Sequence, residues 1–201
     1  MLDRLALRLA KPAVEAAARQ LAMRGVTADQ VTLAGFGLGM LAAVLVASGH
    51  SLLAILPLVA NRVLDGVDGA LARLSAASER GAFLDISLDF VFYAAIPLAF
   101  GVADPGANAL AAAVLLAAFV VTGTSFLAFA VLAEKRGLKS TAYPSKAFYY
   151  LGGLTEGTET IACFLAMCLF TMHFAVLAYF YAMLCVLTSV TRLHAGWKAF
   201  G

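Results

Sequence analysis

The chain has 201 residues, 63% of them apolar and 13% charged, with a formal net charge of +2 and a mean hydropathy of +0.92. Ordinary soluble domains carry about 25% charged residues, so this composition cannot clothe a free cytoplasmic enzyme. It also excludes disorder and gives no basic footprint for a nucleic-acid partner. What remains is an integral membrane protein, with residues 1–201 short enough for a single domain.

Residues 1–25 are expected to form an interfacial amphipathic helix. Leu2, Leu5 and Leu9 lie along one stripe, and Arg4, Arg8, Lys11 and Arg19 supply positive charge for an anionic leaflet. Gly25 offers a stop, and Thr27 with Gln30 forms a capping box for the next helix. From Gln30 to Asn61 the chain is uncharged, too long for one span of about 20 residues. The polar stretch Ser48-Gly49-His50-Ser51 divides it. Further spans are expected over about 52–73, 82–102, 110–132, 145–170 and from His173 to about Thr191, separated by turns at 103–106 and at Met172-His173. The resulting architecture is all-α, with six transmembrane helices over 30–192 behind the interfacial helix. Cys163, Cys168 and Cys185 all sit in apolar runs and read as small helix fillers.

Sidedness follows from the Lys and Arg residues. Of the 14, all but Arg62, inside the second span, gather in the N-terminal segment, the 73–80 connection, the 134–146 loop and the C-terminal tail. The loops near His50, Asp104 and His173 hold none. Both termini are therefore expected to be cytoplasmic.

Four carboxylates stand out against this background. Asp65 and Asp68 lie in the second span, Asp85 and Asp89 in the third. A charged residue at a helix centre is unfavourable by about 2.5–3.5 kcal/mol, so four together amount to on the order of 10 kcal/mol that something must offset. The i, i+3 and i, i+4 spacings project each pair from one helix face. At 1.5 Å per residue, Asp65 and Asp68 lie roughly 12 and 8 Å from Arg73, and Asp85 and Asp89 roughly 5 and 11 Å from Ala82. On antiparallel neighbours these depths coincide, so all four can converge on one pocket. Hard oxygen donors suit magnesium, manganese or calcium rather than zinc, and two divalent cations would neutralise the four charges. Gly66 and Gly69, unfavourable inside a helix, imply close packing or a ligand beside the first pair.

Residues 65–89 read D-x-x-D-G-x-x-A-R, seven residues, then G-x-x-x-D-x-x-x-D. This resembles the signature of the CDP-alcohol phosphotransferases, also called CDP-alcohol phosphatidyltransferases, through Asp65, Asp68, Gly69, Ala72, Arg73, Gly81, Asp85 and Asp89. The seven-residue spacer is one shorter than the commoner pattern and resembles a bacterial inner-membrane branch of that family. The resemblance implies a metal-dependent transferase of phospholipid biosynthesis. Its donor would be a CDP-alcohol, usually CDP-diacylglycerol, its acceptor a small alcohol, and CMP the leaving group. By the same resemblance Asp65, Asp68, Asp85 and Asp89 would hold two Mg2+ or Mn2+ ions. Asp89 would also serve as general base, and Asp68, Gly69, Ala72, Arg73 and Gly81 would contact the CDP portion. A homodimer in the bacterial inner membrane, with the site facing the cytoplasm, is implied as well.

Other residues lie outside the signature. Lys135 and Lys146, with Arg136 and Lys139, form a basic group suited to an anionic acceptor, though positive-inside bias produces the same pattern. Glu156 and Glu159 form a second i, i+3 acidic pair in a Gly- and Thr-rich run, which reads as a cavity wall, a distorted helix or an internal pairing with Arg62 or Arg192. Glu156 is thus a further candidate for acceptor contact. Gly35, Gly37 and Gly39 follow no strand and read as helix packing. An alternative function, cation- or proton-coupled transport, would use the same intramembrane carboxylates.

Overall fold

A computed structural model describes residues 2–75, 78–137 and 155–201, with side chains from Lys11 onward. Among these the regular elements are all helical: α1 (Leu2–Met23), α2 (Ala28–Ala47), α3 (Ser51–Ser75), α4 (Glu79–Ala103), α5 (Pro105–Lys135), α6 (Gly157–Leu169), a 3-10 turn (Thr171–His173) and α7 (Phe174–Phe200). Four stretches are long and apolar enough to cross a membrane: α2, α4, α5, and α7 together with its leading turn. The 25-residue α3 has the length, but Arg62, Asp65, Asp68 and Arg73 interrupt its apolar character.

The helix ends follow local rules. Gly25 takes φ +74° and Gly49 φ +82°, left-handed values that glycine adopts without Cβ strain. Thr27 Oγ1 accepts from the Gln30 N–H at 3.3 Å, and Gln30 Oε1 accepts from the Thr27 N–H at 3.0 Å, which completes the capping box. Ser78 caps α4 by accepting from the Gly81 N–H at 3.0 Å. Asp104 ends α4 and caps α5 through the Ala107 N–H at 3.1 Å, with Pro105 opening the new helix where its missing N–H does no harm.

One expectation needs correction and another is extended. The fifth span is not one unbroken helix from 145 to 170, because Thr155 and Glu156 are non-helical and α6 begins at Gly157, with 13 helical residues. Residues 145–154 lie outside the described set. The N-terminal helix, in turn, is more than a surface float. Val14, Ala17, Ala18 and Leu21 pack on Val31 of α2 and on Val67, Ala70 and Leu71 of α3, with Ala18 fully buried. The Leu2, Leu5 and Leu9 stripe lies outside the described side chains.

The main core joins α2 to α7 around Leu58, Phe92, Phe100, Leu115, Phe164, Met167 and Phe174. Phe100 stacks on Phe174 at 4.5 Å between ring centroids, and Phe92 meets Phe164 edge-on at 6.1 Å. Glycine sets the spacing between α2 and its neighbours. A Cβ on Gly39 would lie 2.7 Å from Phe92 Cδ2 and 3.1 Å from Asn61 Nδ2, and one on Gly35 would lie 3.3 Å from Leu64 Cβ. Both glycines are buried whereas Gly37 is exposed, so the trio does work as helix packing through its first and last members.

Candidate active site

The close α2–α3 approach brings a polar edge of α2 against the aspartates of α3. Asn61 is buried and donates through Nδ2 to the Gly35 carbonyl at 2.9 Å. One and two turns further along α3, Asp65 and Asp68 enter the same inter-helix space, and Asp85 and Asp89 enter it from α4. Thr32, Gly35, Phe36, Asn61, Leu88 and Phe92 complete the wall. All four sequence-predicted aspartates therefore line one pocket.

The geometry is tighter for three of them. Asp65, Asp68 and Asp85 each offer a carboxylate oxygen within 4.8 Å of the others. Like charges about 4 Å apart repel by about 4 kcal/mol per pair at an effective dielectric constant of 20, so the arrangement calls for positive charge. Hard oxygen donors converging from two helices fit a divalent cation of the magnesium or manganese type. Asp68, 6% exposed, accepts from Thr32 Oγ1 at 2.7 Å. Arg62, one turn before Asp65, donates through Nη1 to the Asp65 carboxylate.

The other residues of the signature extend from this pocket toward the 75–79 end of the bundle. The nearest atom to a Cβ placed on Gly69 is Arg73 Nη1 at 3.6 Å, so the notch beside Asp68 is bordered by a guanidinium. Arg73 is exposed, and Ala72 is partly buried beside it. Gly81 lies in the first turn of α4, where a Cβ would lie 3.1 Å from both Asp29 Oδ1 and Ser78 Oγ. Next to it Arg80 pairs with Asp29 at 3.5 Å. This end thus combines an open notch, two arginines and a helix N-terminus, features that suit an anionic ligand.

The acceptor candidates are not gathered in the same way. Lys135 sits exposed in the last turn of α5, Lys146 lies outside the described residues, and Glu156 is buried at the start of α6. None of them lines the aspartate pocket as described. Thr32 and Asn61 escaped the sequence reading. Their partners stand 36 and 26 positions away, and a lone Thr or Asn in an apolar helix carries no linear signal of such a bond.

The sequence profile of the CDP-alcohol phosphatidyltransferases matches residues 25–192. The inner membrane protein YnjF of Escherichia coli (strain K12) is 49% identical over 197 residues, covering 98% of this chain and 96% of that protein. Among solved structures, the Mycobacterium tuberculosis phosphatidylinositol phosphate synthase PgsA1 with CDP-DAG bound matches with a TM-score of 0.71 at 24% identity, over 92% of this chain and 93% of that one. The same synthase in complex with manganese and citrate matches with a TM-score of 0.71 at 23% identity, over 92% and 88%. At these identities the structural likeness bears on the fold alone.

Proposed function

Because the chain belongs to the CDP-alcohol phosphatidyltransferase family, we propose that it transfers a phosphatidyl group from CDP-diacylglycerol to the hydroxyl of a small alcohol, with release of CMP. The observation that carries this reading is the convergence of Asp65, Asp68 and Asp85 within 4.8 Å, in a pocket that Asp89 also lines. The relative PgsA1, crystallised with CDP-DAG and with manganese, supports the choice of donor and of metal. Membership of a transferase family favours this reading over coupled ion transport.

Asp65, Asp68, Asp85 and Asp89 would hold two divalent cations, Mg2+ or Mn2+. When bound, such ions stabilise charge on the attacking and leaving oxygens of the phosphoryl group. Arg73, Gly69, Ala72 and Gly81 bind the CDP portion, with Arg73 and the α4 N-terminus offsetting its negative charge. Asp89 takes the proton of the acceptor hydroxyl as its oxygen bonds to phosphorus. The bond between that phosphorus and the CMP oxygen breaks, and CMP departs. Thr32 holds Asp68 in place, since outer partners of ligating carboxylates fix their orientation. Lys135, Lys146 and Glu156 are proposed to act at the acceptor end.

The domain is proposed to span residues 1–201, with six transmembrane helices over 30–192 and helix 1–25 along the interface. It lies in the bacterial inner membrane as a homodimer, with both termini and the site facing the cytoplasm. Purified protein with CDP-diacylglycerol, Mg2+ or Mn2+ and a panel of acceptor alcohols should release CMP only when metal and a suitable acceptor are both present. Failure of every acceptor in a broad panel to elicit metal-dependent CMP release would overturn the assignment.

A further inference from the structure

Arg62 of α3 lies in the apolar bundle and outside the family signature, and its surroundings are specific. It precedes Asp65 by one turn on α3 and donates through Nη1 to that carboxylate. Its other terminal nitrogen reaches the start of α6. A Cβ placed on Gly157 would lie 2.9 Å from Arg62 Nη2 and 3.4 Å from Cζ, with Tyr93 Oη of α4 also 3.4 Å away. The guanidinium therefore fills a space that exists only because the first residue of α6 has no side chain. It spans from the aspartate cluster on α3 to the α6 terminus, and a planar fork with several donors suits that two-sided contact better than a point charge.

We propose that Arg62 is a positioning residue for the metal cluster: wedged between Asp65 and Gly157, it fixes the Asp65 carboxylate for metal binding and ties the cluster to α6. This rests on the metal reading of the aspartate pocket. Two effects of opposite sign compete at such a position. A cation beside a metal ligand repels a divalent ion, whereas a donor that orients a ligating carboxylate strengthens binding, and loss of such outer partners weakens metal affinity by about 10- to 100-fold. The wedge geometry favours the second effect, and the sign of the change separates them.

The test is Mn2+ binding by the full-length protein in detergent, followed by electron paramagnetic resonance of free Mn2+. Arg62→Gln should raise the Mn2+ dissociation constant about 10- to 100-fold, and Arg62→Lys should restore part of it. Gly157→Ala, which pushes on Nη2 without touching an aspartate, should weaken binding in the same direction. The double variant should be no worse than Arg62→Gln alone, because both act through one contact. Unchanged or tighter binding in Arg62→Gln, or strictly additive losses in the double variant, would overturn the proposal. Wild-type protein that binds no Mn2+ would overturn the metal reading and the proposal with it. Wild-type binding that is lost in Asp68→Asn establishes that reading separately. Helical signal and elution volume guard against misfolding, and if Arg62→Gln does not fold, Gly157→Ala and Arg62→Lys carry the comparison.

Discussion

Asp89 stands one turn beyond Asp85 on α4, lining the pocket but outside the trio whose oxygens lie within 4.8 Å. That offset suits a carboxylate with a proton to accept as well as a charge to share. Asp89→Asn keeps the size and one acceptor oxygen but removes the base, so CMP release should fall at least a hundredfold, in line with general-base contributions of about 10²–10⁴. An assay of insertion and helicity alongside turnover distinguishes this from misfolding, and wild-type turnover would remove Asp89 from the mechanism. Thr32 makes the complementary case. Its hydroxyl is 2.7 Å from Asp68 Oδ2, and Thr32→Val preserves the shape while leaving that oxygen without its donor. A rise of about tenfold in the metal concentration needed for half-maximal activity is expected.

At the scale of elements, the site exists because three helices approach closely where their side chains are smallest. Gly39 admits the Phe92 ring and the Asn61 amide, and Gly35 admits Leu64. Gly39→Ala forces a Cβ to within 2.7 Å of Phe92 Cδ2 and should destabilise the protein by about 1–3 kcal/mol, the usual range for overpacking. Gly37→Ala, where nothing lies within 4 Å of the new Cβ, should leave the melting temperature in detergent unchanged or slightly raised. Equal melting temperatures for the two variants would remove close packing as the role of Gly39. The break before α6 belongs to the same scale. The helix that starts at Gly157 sets its first turn against Arg62 of α3.

For the whole molecule, the basic residues predict orientation and the turns predict where to test it. The α4–α5 turn around Pro105 and the C-terminal end of α7 should lie on opposite sides of the membrane. In a variant whose native cysteines are replaced, a cysteine at Ala107 should react with an impermeant maleimide in intact cells. One at Lys198 should react only after the cells are permeabilised. The reverse pattern would invert the proposed topology and move the aspartate pocket to the outer face. Both positions are exposed, so the labelling reads sidedness rather than burial.

What the sequence determined alone was whatever depends on composition or on interactions within about four residues. Low charge and high hydropathy specified lipid as the solvent. The Thr27–Gln30 box, the Gly25 stop, the polar break at Ser48–Ser51 and the turn at 103–106 marked helix ends, because each signal lies within a few residues. The two aspartate pairs declared their faces through spacing, and antiparallel neighbours brought their depths into agreement. Only the tertiary structure decided which surfaces meet. The seating of α1 on α3, the Thr32 bond to Asp68, the Asn61 bond to Gly35 and the approach of Arg62 to Gly157 join residues far apart in the chain. Such contacts depend on how glycines and bulky side chains interlock between helices, and an apolar run in lipid carries the same hydropathy whichever neighbour it packs against.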